Sequence, residues 1–165
     1  MRKHTLITSP LGPLTAVAEA DALVGLYFEG HKRRPPQETF GERTDEGFEE
    51  VREQIAEYFA GTRREFALPL APVGEPFQRR VWDLLRTIPY GETRSYGELA
   101  RMLGEPGAAQ AVGAANARNP VSVIVPCHRV VAGDGALRGY AGGLHRKRYL
   151  LDLEEPAAPS VGRLF

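Results

Sequence analysis

Residues 68–74 read Leu-Pro-Leu-Ala-Pro-Val-Gly, and no regular helix can cross them. Each proline fixes its own φ, lacks an amide proton and pushes the preceding residue out of helical space. The stretch reads as a linker dividing the chain into domains of residues 1–74 and 75–165. The two parts differ in charge. A net charge of zero argues against a polyanionic partner. Yet residues 1–74 carry 9 Lys/Arg against 12 Asp/Glu, and residues 75–165 carry 12 against 9. Most of these charges solvate a surface, but the excess in the second part is basic.

The first part opens with strand-like segments. Thr5–Thr8, Leu14–Ala18 and Leu23–Phe28 are apolar or alternate, and turns are expected at Ser9–Pro13 and Glu19–Asp21. A small antiparallel sheet follows from this pattern. His31–Gly41 is polar and proline-rich, and reads as a mobile loop holding the basic run Lys32-Arg33-Arg34. Phe48, Val51, Ile55 and Phe59 are spaced as one helical face, with Asp45 as its N-cap and Gly61 as its stop.

The second part is mostly helical. Pro76 suits a first helical turn, and Phe77, Val81, Leu84, Leu85 and Ile88 make an apolar face that ends at Pro89-Tyr90-Gly91. Ser95 with Glu98 three residues later is a capping box, opening a helix over Tyr96–Leu103. After Gly104-Glu105, Pro106 opens another helix to about Arg118, so the pair reads as a helix-turn-helix. Ala108, Ala109, Ala111, Gly113, Ala114, Ala115 and Ala117 leave this second helix slim. Such a helix either packs closely on its neighbours or presses its backbone towards a groove. Val121–Val125 reads as a buried β-branched strand. A last helix spans about Leu144–Glu154, and the tail Ala157–Phe165 is expected to be loosely held. The fold class is α+β.

Cys127 is the single cysteine, so neither an internal disulfide nor a multi-thiolate metal site is available. A lone cysteine is most often a small buried hydrophobe. Here Pro126 and His128 flank it at a strand end, where a base and the charge of Arg129 favour a thiolate. Neighbours in an extended strand face opposite ways, so His128 is expected to reach Cys127 through a water. A buried histidine also needs an acceptor for its other ring nitrogen, and Glu154 or Glu155 is the candidate. No apolar run approaches the roughly 20 residues that span a bilayer, and no signal-peptide core precedes the first strand. A cytosolic location without a membrane partner is expected.

Ile124-Val125-Pro126-Cys127-His128-Arg129 followed by Gly139-Tyr140-Ala141-Gly142-Gly143 resembles the O6-alkylguanine-DNA alkyltransferase family. The likeness takes in Ile88-Pro89-Tyr90-Gly91-Glu92-Thr93, Ser95-Tyr96, Ala111-Val112-Gly113, Asn119-Pro120 and Leu150-Leu151 to Glu154, nearly without gaps over residues 76–154. It implies a ribonuclease H-like structural domain over residues 1–74 and a DNA-binding, alkyl-accepting domain over 75–165. It implies direct-reversal repair by a monomer that docks on double-stranded DNA through the minor groove and flips an O6-alkylguanine out of the stack. Cys127 then accepts the alkyl group in one irreversible step, without a cofactor or metal. By the same resemblance His128 deprotonates Cys127, Glu154 orients His128 and Asn119 pins the turn before the cysteine. Tyr140 and the amide of Ala141 hold O6, with Val130 beside them in the substrate pocket. Tyr96, Ala108, Ala109, Gln110 and Gly113 face the DNA. Gln110 stands where the best-known members carry an arginine that fills the vacated stack, which implies weaker flipping with unchanged chemistry.

Three other readings compete. A protein that flips and flags alkylated bases without repairing them does not need Cys127. A cysteine hydrolase needs a second histidine in a triad-like context, which His4, His31 and His145 lack. A plain helix-turn-helix regulator leaves Cys127, His128 and Glu154 unexplained.

Overall fold

The computed structural model describes residues 1–155; the tail Ala157–Phe165 lies outside the described residues. Strands β1 (Arg2–Ile7), β2 (Leu14–Glu19) and β3 (Ala22–Phe28) form an antiparallel meander, and a two-residue strand, β4 (Glu42–Arg43), joins β1 in parallel. The sheet order is β3-β2-β1-β4, so the expected small antiparallel sheet gains one short parallel strand at its edge. A register shift between Val17 and Ala18 opposite Val24 has a consequence for packing. Strict alternation sends Leu23 and Leu26 to opposite faces, and the extra residue of the bulge lets both enter the main core. Val17, Val24, Tyr27 and Phe40 form a smaller cluster on the other side.

His31–Gly41 is not a free loop. Residues 37–40 make a 3-10 turn, and His31 and Phe40 are buried. Phe40 stacks on Tyr27 with centroids 5.6 Å apart, which supplies the apolar contact that a polar, proline-rich reading overlooks. Helix α1 (Glu49–Phe59) starts after Phe48, without the Asp45 cap. Asp45 instead accepts from Thr5 Oγ1 and pairs with Arg52. The buried face runs through Tyr58, with Phe59 at its margin.

The linker is pinned. The Leu23 amide donates to Pro69 O (2.9 Å) and the Ala71 amide to Leu23 O (2.8 Å), so residues 69–71 lie along the outer edge of β3. Helix α2 (Pro76–Leu85) follows, capped by Glu75 and Gln78. A two-residue strand, β5 (Arg94–Ser95), leads into helix α3 (Tyr96–Met102), which Ser95 and Glu98 cap as expected. Gly104, at φ 79°, makes the turn to helix α4 (Ala109–Ala117). Pro106 stays outside this helix, which begins three residues later than the sequence suggests. Trp82 Nε1 donates to Ala115 O (2.9 Å) and ties α2 to α4.

Val121–Val125 is buried, but it is not a strand. Val121 makes one bridge with Leu26; the chain then turns, with Val123 at φ 72°. β-Branched residues favour extended backbone, yet the Asn119 side chain overrides that preference by bonding the turn from inside. Residues 127–129 form a 3-10 turn that enters strand β6 (Val130–Val131), parallel to β5. Helix α5 (Leu144–Glu154) closes the described chain. One hydrophobic core joins residues of both halves, from Leu26 and Phe28 to Val121 and Cys127. Among the described residues no helix is long and apolar enough to cross a membrane.

Candidate active site

Asn119 sets the position of the cysteine. Its Oδ1 accepts from the Val121 amide (3.0 Å), while its Nδ2 faces Val125 O (2.9 Å), Val121 O (3.3 Å) and Cys127 Sγ (3.2 Å). One buried amide thereby closes the turn and donates to the sulfur. Burial raises the Cys127 thiol above its ordinary pKa, opposed by the Asn119 bond and by the charge of Lys147. The resting group is therefore a thiol, and it needs a base when it reacts.

A candidate for that base sits in the same turn. His128 is fully buried, and its Nε2 donates to Glu154 Oε2 at 2.8 Å. Burial holds the imidazole below its usual pKa, so it rests neutral. Because Nε2 carries the proton, Nδ1 presents a lone pair, and Nδ1 has no partner among the described residues. Arg129, expected to add positive potential at the cysteine, directs its bonds elsewhere. Its guanidinium turns towards Glu154, with Nε on Oε1 (2.8 Å) and Nη2 on Oε2 (3.0 Å), while Nη1 donates to Ile88 O (2.6 Å). The reason is geometric, since the 3-10 turn swings residues 128 and 129 to the side where α5 ends. Tyr58 of α1 adds a further donor to Glu154 Oε2. Burial alone raises the Glu154 carboxyl, but bonds from His128 and Arg129 outweigh it and bring the pKa down to about 2.

The opposite side of Cys127 is less satisfied. Tyr140 Oη lies near Ser122 and the Cys127 sulfur, but it, Ser122 Oγ and Asn116 Oδ1 are buried without a well-formed hydrogen bond among the described residues. Burial and the nearby sulfur raise the Tyr140 pKa well above normal, so its hydroxyl remains a donor. A cavity of about 170 Å³ opens here, lined in part by Tyr96, Gly113, Asn116, Tyr140 and Ala141. It is smaller than the roughly 300 Å³ at the low end of drug-sized sites, and suits one flat ring system. Its outer wall is the loop 139–143. Gly142 lets that loop lie on Phe28, because a Cβ there would meet Phe28 Cδ2 at 2.6 Å. Lys147 is fully buried and holds the loop from beneath, donating to Val130 O (2.7 Å), Arg138 O (3.0 Å) and Gly139 O (3.3 Å). Burial lowers its pKa to about 8. Among the described residues no three His, Cys, Asp or Glu side chains converge as metal ligands would.

This buried thiol and the unpartnered polar atoms near it sit within two recognised sequence families of one kind. The ribonuclease-like domain of 6-O-methylguanine DNA methyltransferase matches residues 2–72, and the DNA binding domain of the same protein matches residues 76–156. The chain belongs to the 6-O-methylguanine DNA methyltransferase family. It is 47% identical over 165 residues to the methylated-DNA--protein-cysteine methyltransferase of Mycobacterium tuberculosis, covering 100% of this chain and 99% of that one. The protein of that name from Methanosarcina acetivorans is 44% identical over 151 residues, with 92% and 97% covered. The crystal structure of Mycobacterium tuberculosis OGT in complex with DNA superposes with a TM-score of 0.89 at 46% identity, covering 96% of this chain and 98% of that one. The α+β fold class with a ribonuclease-like first part agrees with these matches.

Within this member of the family, Cys127, Asn119, His128 and Glu154 come together, and Tyr96, Tyr140, Ala141 and Gly113 line one cavity. Gly113 faces that cavity rather than the outer surface of α4; a Cβ there would sit 3.6 Å from the Tyr96 ring, an ordinary contact. Ala108 and Ala109 are half-buried against the core, while Gln110, Ala111 and Ala114 form the exposed face. Val130 is buried in the core outside the cavity lining and contributes its carbonyl to Lys147. Tyr58, Lys147, Ser122 and the Glu154-directed Arg129 are absent from the sequence reading. Two of them carried a signal: Tyr58 lies seven residues after Val51, and Lys147 seven before Glu154, each on a buried helical face.

Proposed function

We propose that the chain repairs alkylated duplex DNA directly, moving a methyl or larger alkyl group from O6 of guanine onto Cys127. One observation carries this reading. A buried thiol stands beside the hydroxyl of Tyr140, which lines a cavity, and next in the chain comes a neutral histidine whose Nδ1 has no partner among the described residues. In the reaction the Cys127 proton passes through a water to His128 Nδ1, and Glu154 stabilises the imidazolium. The S–C bond forms as the C–O6 bond breaks, and the electron pair stays on guanine. Tyr140 donates to O6 as charge builds there, and the guanine anion takes up a proton from solvent. The thioether has no route back to a thiol, so each molecule acts once, without a cofactor.

A stacked base cannot bring O6 to a sulfur only 4% exposed, which requires the nucleotide to leave the helix. Residues 75–165 dock on the DNA, with α3 and α4 as a helix-turn-helix. The face formed by Gln110, Ala111 and Ala114 enters the minor groove, where small side chains permit close approach. Gln110 fills the vacated stack, Tyr96 meets the rotated backbone and the flipped base, and the protein works as a monomer. Residues 1–74 form a structural domain.

Incubation with duplex containing O6-methylguanine, followed by intact mass spectrometry, tests the reading. One CH2 gained per chain, and none with Cys127→Ala, is expected. Retention of the DNA without any mass change would overturn repair in favour of flagging.

A further inference from the structure

The basic run Lys32-Arg33-Arg34 belongs to the acidic half of the chain, and the family reading gives it no task. The fold carries it to the cavity. The Lys32 amide donates to Ala141 O at 2.9 Å, fastening the run to the loop that walls the site. Lys32 and Arg33 then line the cavity beside Tyr96, Tyr140 and Ala141. A second cavity of about 230 Å³ continues from the first, sharing Lys32, Arg33 and Ala117, and adds Arg2 and Arg118 at the far end of α4. No acidic residue lines either one. Lys32, Arg33 and Arg118 are exposed and make no ion pair among the described residues, whereas Arg2 is engaged by Glu19.

Arg33 also holds a backbone conformation that glycine takes more readily, at φ 59°. Such a conformation costs of order 1 kcal/mol or more and persists where the surroundings fix it. The neighbouring Lys32–Ala141 bond ties this turn to the loop that walls the cavity.

We infer that Lys32 and Arg33 grip backbone phosphates of the strand that carries the flipped nucleotide, making the N-terminal half a second DNA-binding surface. The inference rests on the repair reading above. A base seated against Tyr140 leaves its sugar and phosphates at the cavity mouth, where these two cations stand. Arg118 continues the cationic track along the same strand, past the C-terminal end of α4. Phosphate is the chemistry such a track recognises, since it offers only exposed cations and no base-reading side chain.

Each phosphate neutralised contributes about 0.9 to the slope of log affinity against log salt, and the second-order transfer rate inherits that slope. The test measures this rate on O6-methylguanine duplex between 50 and 200 mM salt for the full chain, for Lys32→Gln/Arg33→Gln, and for Lys32→Arg/Arg33→Lys. Both side chains are exposed, so folding is not at stake. The charge-removing variant is expected to lower the slope by about 1.8, losing roughly tenfold less rate across that range than the parent. The charge-keeping variant is expected to retain the parent slope. A slope unchanged in the charge-removing variant, or equally reduced in both, overturns the inference. If the parent itself transfers no alkyl group, the repair reading fails instead.

Discussion

The two sides of Cys127 are built on opposite principles. On the His128 side, Tyr58, His128 and Arg129 place four donors on the two oxygens of Glu154, and only His128 Nδ1 is left open. On the Tyr140 side, three buried polar atoms have no partner of good geometry among the described residues, and two of the three residues, Asn116 and Tyr140, line a cavity. A buried polar group without a bond costs about 1–3 kcal/mol, so the second side is a standing cost that a ligand can relieve. The first side is satisfied in advance and holds its geometry whether or not a ligand is present. Stability and reactivity are thereby separated by the width of one side chain.

The separation can be broken most forcefully at Arg129. Removing one member of a buried ion pair leaves the other charge uncompensated, which costs about 3–5 kcal/mol. Arg129→Ala is expected to lower the unfolding free energy, read from denaturant melts, by that amount, and a loss under about 1 kcal/mol would show that the knot of bonds around Glu154 does not anchor the fold. The acid limb gives the same information by another route. The Glu154 pKa is depressed to about 2 in the fold, against an ordinary 4.5. Its contribution is therefore complete above about 4.5 and is lost as pH falls towards 2. Glu154→Gln should be less stable near neutrality and should flatten that limb; a melting curve that falls as steeply as the parent's would contradict the assignment.

Tyr140→Phe probes the other side and should give the reverse pattern. It removes an orphaned hydroxyl, so stability is expected to stay level or rise slightly. The rate of transfer from O6-methylguanine should fall about 100- to 1,000-fold, the usual loss for one donor to a developing oxyanion. A stability loss with an unchanged rate would place Tyr140 with the knot instead. Tyr58→Phe is intermediate. It deletes one bond to a buried carboxylate, worth about 1.5–3 kcal/mol, and should cost stability more than rate. Tyr58 stands on α1, so a measurable rate loss in this variant would show that the N-terminal half also tunes His128.

Much of this arrangement was legible in the sequence, and the misses have physical causes. The meander, the Ser95–Glu98 cap and the bounds of α5 follow from periodicity and local bonding, which adjacent residues decide. Val121–Val125 was misread because five β-branched or small residues favour a strand, and only a side chain outside the run, Asn119, turns it. The opposite-face argument for Cys127 and His128 depended on that strand; in the 3-10 turn the case for a bridging water rests instead on His128 Nδ1, which has no direct partner among the described residues. Arg129, Tyr58 and Lys147 were missed for another reason. Charged and hydroxylated side chains are normally read as solvent-facing; helical spacing sets Tyr58 and Lys147 on buried faces, but the partners that satisfy the three lie 25, 96 and 17 residues away. No local pattern encodes those distances.

Gln110 offers the smallest expected effect, and it sharpens the comparison from outside. It belongs to neither side of Cys127; it stands on the exposed face of α4 between half-buried Ala109 and exposed Ala111. A change there therefore leaves both the knot and the cavity intact, and acts only on how DNA is held. Gln110→Arg adds one cation and a planar group able to stack in the gap left by a flipped base. Binding to O6-methylguanine duplex at fixed salt should tighten severalfold, while the transfer rate once DNA is saturating stays level. Unchanged or weaker binding would mean that this face of α4 does not meet the vacated stack. A faster saturated rate would mean that base extrusion, rather than attack by Cys127, limits the reaction, and the unpartnered polar atoms around Tyr140 would then be relieved only as fast as the base arrives.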